Sequence, residues 1–319
     1  MHEINNDQRK YLIDTTQLYE AYRESLRQYR AMRYGLTWKH AKGRDYLFKI
    51  VRAGGYGESL GVRSSETERE FAEFKIKKQE MTHLLRAQHA RLKHFARINK
   101  AMRLARVPLL VSKILRKLDA RGAFDDEIMV MGTHCLYAYE SMAGVVVDPS
   151  ITASGDVDLL LNTNKSLSIL ASKLVNPNGI LGILKSIDKT FRPLRPGSFR
   201  AINATEFMVD IIAPPSSIAT RQSLQIGKDD LCGTEIDELA SVSAAPRVFS
   251  VAIGEDGLPV PFVVPAPGWF AQHKRIMSES PGRDALKRPR DREQAIVVQQ
   301  IVDNYLPHYQ LGNGHAPMN

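Results

Sequence analysis

The sequence predicts an α+β protein with a helix-rich N-terminal region, a mixed α/β domain whose sheet is flanked by helices, and a closing pair of helices. Three observations predict it. Apolar residues recur at helical spacing up to about residue 124, short apolar strands alternate with helical patterns after Gly122, and two more helical stretches follow a proline-rich hairpin. The chain has 319 residues, 43% hydrophobic and 25% charged, which is enough for two cores and excludes a disordered or fibrous protein. The parts fall at 1–124, 125–265 and 266–319.

In the first part Leu18, Tyr22, Leu26 and Tyr29 share one helix face, with Tyr19 and Met32 beside them and Arg23, Arg27, Arg30 and Arg33 elsewhere. Gly35 ends this helix, and a loop with Gly54, Gly55, Gly57 and Gly61 follows. Ser65, three residues before Glu68, has the capping-box spacing that opens a second helix, and no breaker occurs before Pro108. Phe74, Met81, Gln88, Phe95 and Met102 repeat every seven residues, a seam that predicts an antiparallel partner over 14–33. The polar Gln88 and Asn99 in that seam argue against an extended coiled coil. Pro108 starts a third helix through Leu118, which Gly122 stops.

In the second part Ile128–Met131 reads as a buried strand, Gly132-Thr133 as a turn, and His134–Met142 as a helix. Asp158–Leu161 and Phe207–Ile212 are further strands, with helical patterns at 166–175 and 179–187 between them. Residues 247–264 form a hairpin about Gly254–Gly257, with Pro259, Pro261 and Pro265 favouring an edge. Helices over about 267–279 and 284–304 close the chain, the second starting at Pro289 at the latest, and the tail after Pro307 is expected to fray.

Charge is unevenly shared. Residues 1–124 hold 27 of the 44 Lys and Arg and 13 of the 35 Asp and Glu, leaving 17 basic against 22 acidic residues over 125–319. The basic first part points to a polyanionic partner and the acidic remainder suits a metal-dependent site; a solvated helix surface is the alternative for the basic part. No apolar run reaches the roughly 20 residues of a spanning helix, and the N-terminus lacks a secretory pattern, so a soluble, cytoplasmic protein without a membrane partner is expected. Cys135 and Cys232 are the only cysteines, too few for a disulfide framework or a paired-cysteine zinc site, and read as reduced, semi-buried thiols.

The chemistry centres on Gly155-Asp156-Val157-Asp158-Leu159. Side chains alternate along a strand, so Asp156 and Asp158 share a face, and two close carboxylates call for a cation; hard oxygen ligands favour Mg2+ or Mn2+. Alone, the pair also fits a turn before a strand. Asp210 adds weight, because a carboxylate inside an apolar strand needs a partner: a metal shared with Asp156 and Asp158, or an arginine such as Arg200. Gly132 and Thr133, between a strand and a helix, present free N–H groups suited to a phosphate. A small-residue cradle, an Asp-x-Asp and a third Asp on a later strand is the order required for two-metal nucleotidyl transfer from a nucleoside triphosphate. Lys287 and Asp291 stand four apart and Lys274 precedes them, so these residues either serve the nucleotide or form a surface ion pair. Tyr137, Tyr139 and Glu140 read as helix packing in preference to a nucleotide pocket, and His134 as packing or a phosphate contact.

At these residues the sequence resembles the nucleotidyltransferase superfamily of DNA polymerase β-like fold, and within it a bacterial branch of largely unknown function. The resemblance rests on Gly132-Thr133-His134-Cys135-Leu136-Tyr137-Ala138-Tyr139-Glu140 and on Gly155–Leu160. Lys42–Leu47, Ser59–Ser64, Arg106-Val107-Pro108, His273-Lys274 and Lys287–Asp291 add to it. Departures are Thr133 where most members have Ser, His134 where the branch usually has Asn, and a longer step from Gly132 to Asp156. The resemblance implies a polymerase β-like catalytic domain over 125–265, a cleft completed by the helices of 266–319, metal binding by Asp156, Asp158 and Asp210, and phosphate binding by Gly132 and Thr133. It makes a nucleoside triphosphate the donor and an RNA such as tRNA the favoured hydroxyl acceptor, a protein or small molecule being the others. Some members are toxins, which adds an antitoxin or a second copy of the chain as partners to consider. The competing class is a non-catalytic nucleic-acid-binding or interaction protein that keeps the fold.

Overall fold

A computed structural model describes residues 1–51, 56–125, 128–161, 179–213, 224–225, 231–235 and 245–311. The helical pattern expected at 166–175, the tail beyond Leu311 and the Cys232 side chain lie outside the described residues. The chain forms two compact units, Asp14–Phe95 and the remainder, Met1–Ile13 with Ala96–Asn319.

Strand β1 (His2–Glu3) precedes helix α1 (Asn6–Ala31). Asn5 caps that helix: its Oδ1 accepts from the Gln8 N–H at 2.8 Å while its own N–H donates to Gln8 Oε1 at 2.9 Å. The Asp14–Phe95 unit then departs from an all-helical reading. Strands β2 (Gly35–Ala41), β3 (Arg44–Ile50) and β4 (Gly57–Val62) form a three-stranded antiparallel sheet where only a loop was expected. Lys42 and Gly43 both have positive φ, 51° and 72°, the geometry of a tight hairpin turn. Cations cover its aromatic rings, Lys39 lying 3.8 Å from the Phe48 centroid and Arg63 5.1 Å from that of Trp38.

Helix α2 (Ser65–Ala101) follows. Its cap is Ser64, not Ser65: Ser64 Oγ accepts from the Thr67 N–H, and the Ser64 N–H donates to Thr67 Oγ1 at 2.8 Å. Glu68 instead takes Arg63 at 2.8 Å. The antiparallel partner expected over 14–33 is present, with Tyr22 against His89 and Tyr34 stacked on Phe74 at 4.7 Å.

In the other unit, α3 (Leu109–Asp119) starts after Pro108 as expected, and its Arg116 forks onto Asp256 in the hairpin turn. Asn99, fully buried, donates from Nδ2 to the Gly257 carbonyl at 3.0 Å, which explains a polar residue at the end of the heptad seam. Next come β5 (Ile128–Met131), α4 (Cys135–Ala143), β6 (Val145–Val146), which pairs with β1, the one-turn α5 (Pro149–Thr152) and β7 (Asp156–Leu161). After them stand α6 (Gly179–Lys185), β8 (Arg192–Pro193), β9 (Arg200–Ile202), β10 (Met208–Ala213), β11 (Leu224–Gln225) and β12 (Cys232–Glu235). Strands β5, β7, β10, β12 and β11 lie in that order in a mixed sheet, with β9 and then β8 added beside β10. The hairpin β13 (Arg247–Ile253) and β14 (Pro259–Pro265) and the helices α7 (Pro267–Glu279) and α8 (Arg288–Tyr305) complete the unit. The apolar strand and helix faces predicted from sequence make one core, in which Val130, Leu159, Val209, Leu136, Ile114, Phe262, Phe270 and Val298 are buried. Cys135 is wholly buried, its thiol on the Val130 carbonyl, and burial raises its pKa far above the ordinary value.

Candidate active site

Strand register assembles the carboxylates. β7 runs parallel to β10 with Asp158 opposite Asp210, and antiparallel to β5 with Asp158 opposite Met131. Adjacent strands stand about 4.8 Å apart, so the two carboxylates are neighbours on one face. Asp156 is on the same face two residues earlier, while Val157 and Leu159 between them are fully buried on the other. The Ser154 hydroxyl donates to Asp156 Oδ1 at 2.6 Å.

Electrostatics single out Asp158. Burial, then the charges of Asp156 and Asp210, push its carboxyl up from the ordinary 3.8 to about 6, against the pull of Lys274 and Arg200. The site is short of positive charge at its centre. Asp210 is differently placed: Arg200, opposite it on β9, donates from Nε at 2.7 Å and from Nη2 at 2.5 Å, filling both carboxylate oxygens. The arginine considered as an alternative partner for Asp210 is therefore in place. Among the described residues no three Asp, Glu, His or Cys side chains form a ready metal cage. Asp156 and Asp158, two hard oxygen donors in no described ion pair, do fit a divalent cation.

Gly132 lies against this cluster. Its φ is +68°, and a Cβ built there would collide with Asp158 Oδ2, so both conformation and space require glycine. Residues Gly132–His134 make one 3-10 turn that leads into α4, placing N–H groups beside the carboxylates. Thr133 Oγ1 accepts from Gln294 Nε2 of α8 at 3.1 Å, and the same amide donates to the Ile151 carbonyl at 3.1 Å. Arg290, one turn earlier on α8, donates to the Ala153 carbonyl in the loop before Asp156. His134 is buried, and burial lowers its pKa to about 4, with Asp156 raising and Arg290 lowering it; the ring is neutral at pH 7.

Of the C-terminal group, Lys274 and Asp291 meet and Lys287 does not join them. Lys274 Nζ lies 2.7 Å from Asp291 Oδ1, and Arg283 Nε 2.7 Å from Oδ2. Burial raises the Asp291 pKa, but Arg283 and Lys274 outweigh it and hold the carboxyl below 3.8. Lys287 is exposed at the start of α8, while Asp291 turns inward to α7, so the four-residue spacing does not make a surface pair. Glu140 and Tyr139 are structural: Glu140 binds Arg106 at 3.0 Å, and the Tyr139 hydroxyl donates to the Pro265 carbonyl. Arg200, Arg283, Arg290 and Gln294 were not singled out as site residues from sequence, Arg200 entering only as a substitute partner. An Arg or Gln four residues from another polar group on a helix looks the same whether it faces water or a core, so no local signal marked the three on the C-terminal side.

The structure thus sets a glycine turn against an Asp-x-Asp strand with a third Asp in register beside it. Residues 110–315, more than half of the chain, match the model of a family described as Nucleotidyltransferase, and the chain belongs to that family. No curated protein and no solved structure matches it. None of the described helices is long and apolar enough to cross a membrane.

Proposed function

We propose that the protein is a metal-dependent nucleotidyltransferase that moves a nucleoside monophosphate from a nucleoside triphosphate to a hydroxyl acceptor, releasing pyrophosphate. The observation that carries this reading is the register that sets Asp158 beside Asp210, with Asp156 two residues away and Gly132 packed on the Asp158 carboxylate. Mg2+ or Mn2+ bound by Asp156 and Asp158 would offset triphosphate charge and lower the pKa of the attacking hydroxyl. Asp210 would serve as the third ligand if the metal displaced Arg200 from its carboxylate. Gly132 and Thr133 hold the phosphates through N–H groups and the threonine hydroxyl. Lys287, exposed at the start of α8, would offset triphosphate charge from the surface, and Lys274, held by Asp291, would do so from within.

RNA is the acceptor we favour. Residues 14–95 carry 17 Lys and Arg against 10 Asp and Glu, and Lys75, Arg86 and Lys93 stand exposed along one side of α2. A toxin role, with an antitoxin or a second copy as partner, is a narrower form of the same proposal. One observation favours a second reading, a non-catalytic nucleic-acid-binding protein: a guanidinium fills both oxygens of Asp210, as in a site that no longer uses metal. Calorimetric titration with each triphosphate in magnesium separates the two. The catalytic reading expects magnesium-dependent binding that Asp158→Ala removes; no binding, or binding that Asp158→Ala leaves intact, favours the second.

A further inference from the structure

We propose that Gln294 is a positioning residue that fixes the polarity of the Thr133 hydroxyl, so that Thr133 donates its hydrogen to a phosphate oxygen. The inference rests on the nucleotidyl-transfer reading and goes beyond it by assigning a role to a residue on α8.

Gln294 is 1% exposed, and its orientation is set by the Ile151 carbonyl, which can only accept, so the group facing Ile151 and Thr133 is the NH2. Both amide hydrogens are thereby committed, one to Ile151 O and one to Thr133 Oγ1. A hydroxyl has one hydrogen to give. Having accepted from Gln294, Thr133 must direct that hydrogen elsewhere, and among the described residues its hydroxyl makes no bond besides the one it accepts. It stands ready as a donor in the turn whose neighbouring glycine touches the Asp158 carboxylate.

A second observation points to a polar guest at this turn. Three buried polar atoms close to it have no hydrogen-bond partner: Gln294 Oε1, Arg290 Nε and His134 Nε2. His134 follows Thr133, and Arg290 and Asp156 set its electrostatic environment. Arg290 is one helical turn from Gln294. Buried polar groups in folded proteins are rarely left unpaired: Arg290 Nε can donate to water or a ligand oxygen, and Gln294 Oε1 can accept from a bound water.

A double-mutant cycle on the full chain tests the proposal, with Mg2+ and ATP, GTP, CTP or UTP as probes. Thr133→Val removes the hydroxyl and should weaken triphosphate binding about tenfold or more, the effect of losing a hydrogen bond to a charged acceptor. Gln294→Met, close in size but without the amide, should weaken it about three- to tenfold by freeing the hydroxyl to turn. The double variant should bind about as Thr133→Val does, because the two losses are one loss. Thr133→Ser should retain affinity, and this arm stands even if Gln294→Met folds poorly. Additive losses in the cycle, unchanged affinity in Gln294→Met, or equal affinity of Thr133→Ser and Thr133→Val overturns the proposal while wild-type binding leaves the enzyme reading in place. A wild-type chain that binds none of the four triphosphates overturns both.

Discussion

Replacing Asp158 by Asn should make the metal-free protein more stable at neutral pH. The magnitude follows from the carboxyl's displacement from 3.8 to about 6, caused by burial and by the charges of Asp156 and Asp210. At 1.36 kcal/mol per pH unit this displacement corresponds to roughly 3 kcal/mol. The sign is set by proton binding. Between about pH 4 and 6 the folded state holds a proton that the unfolded state has lost, so the contribution of Asp158 to stability falls as pH rises through that window and stays lost above it. Asn carries no charge to repel, and removes the penalty. The assay is urea unfolding in chelator, with wild type and Asp158→Asn compared at pH 5 and 7.5. The variant should gain roughly 3 kcal/mol at pH 7.5 and about half of that at pH 5, and added magnesium should stabilise wild type but not the variant. A variant less stable than wild type at pH 7.5, or equally improved at both pH values, would refute the electrostatic account of the site.

Three further outcomes follow. Gly132→Ala should cost on the order of 1–3 kcal/mol of stability and abolish triphosphate binding, since the positive φ and the Asp158 oxygen both exclude a Cβ; thermal melts and calorimetry read the two effects. Lys274→Ala should destabilise by about 3–5 kcal/mol, because Asp291 stays buried with half its partners gone, whereas Lys287→Ala should leave the melting temperature nearly unchanged and weaken triphosphate binding by about 1–3 kcal/mol. RNA binding by the full chain should weaken with salt, and charge reversal at Lys75, Arg86 and Lys93 together should flatten the log–log slope by roughly 2–3; an unchanged slope assigns those residues to solvated surface.

Local periodicity made much of this fold legible. The strands at 128–131, 156–161 and 208–213 are short apolar runs, and α3, α7 and the 247–265 hairpin are bounded by proline or glycine, so each announces itself within a few residues. The three-stranded sheet was missed although Lys42-Gly43 is a hairpin signal between Leu36–Trp38 and Tyr46–Phe48. The basic residues among those strands and the helices on either side masked the alternation. At the site, the shared face of Asp156 and Asp158 is legible because side-chain alternation along a strand sets it. The pairing of Asp210 with Arg200, the inward turn of Asp291 to Lys274 and Arg283, and the reach of Gln294 to Thr133 depend on contacts between elements distant in sequence, which no periodicity encodes.

Incubation of the full chain with magnesium, each α-phosphate-labelled nucleoside triphosphate and total RNA or protein tests nucleotidyl transfer most directly. Metal-dependent nucleotidyl transfer predicts that label passes to an acceptor with release of unlabelled pyrophosphate, and that Asp158→Ala abolishes both. Absence of transfer and of pyrophosphate with all four triphosphates, or transfer undiminished in Asp158→Ala, would contradict it.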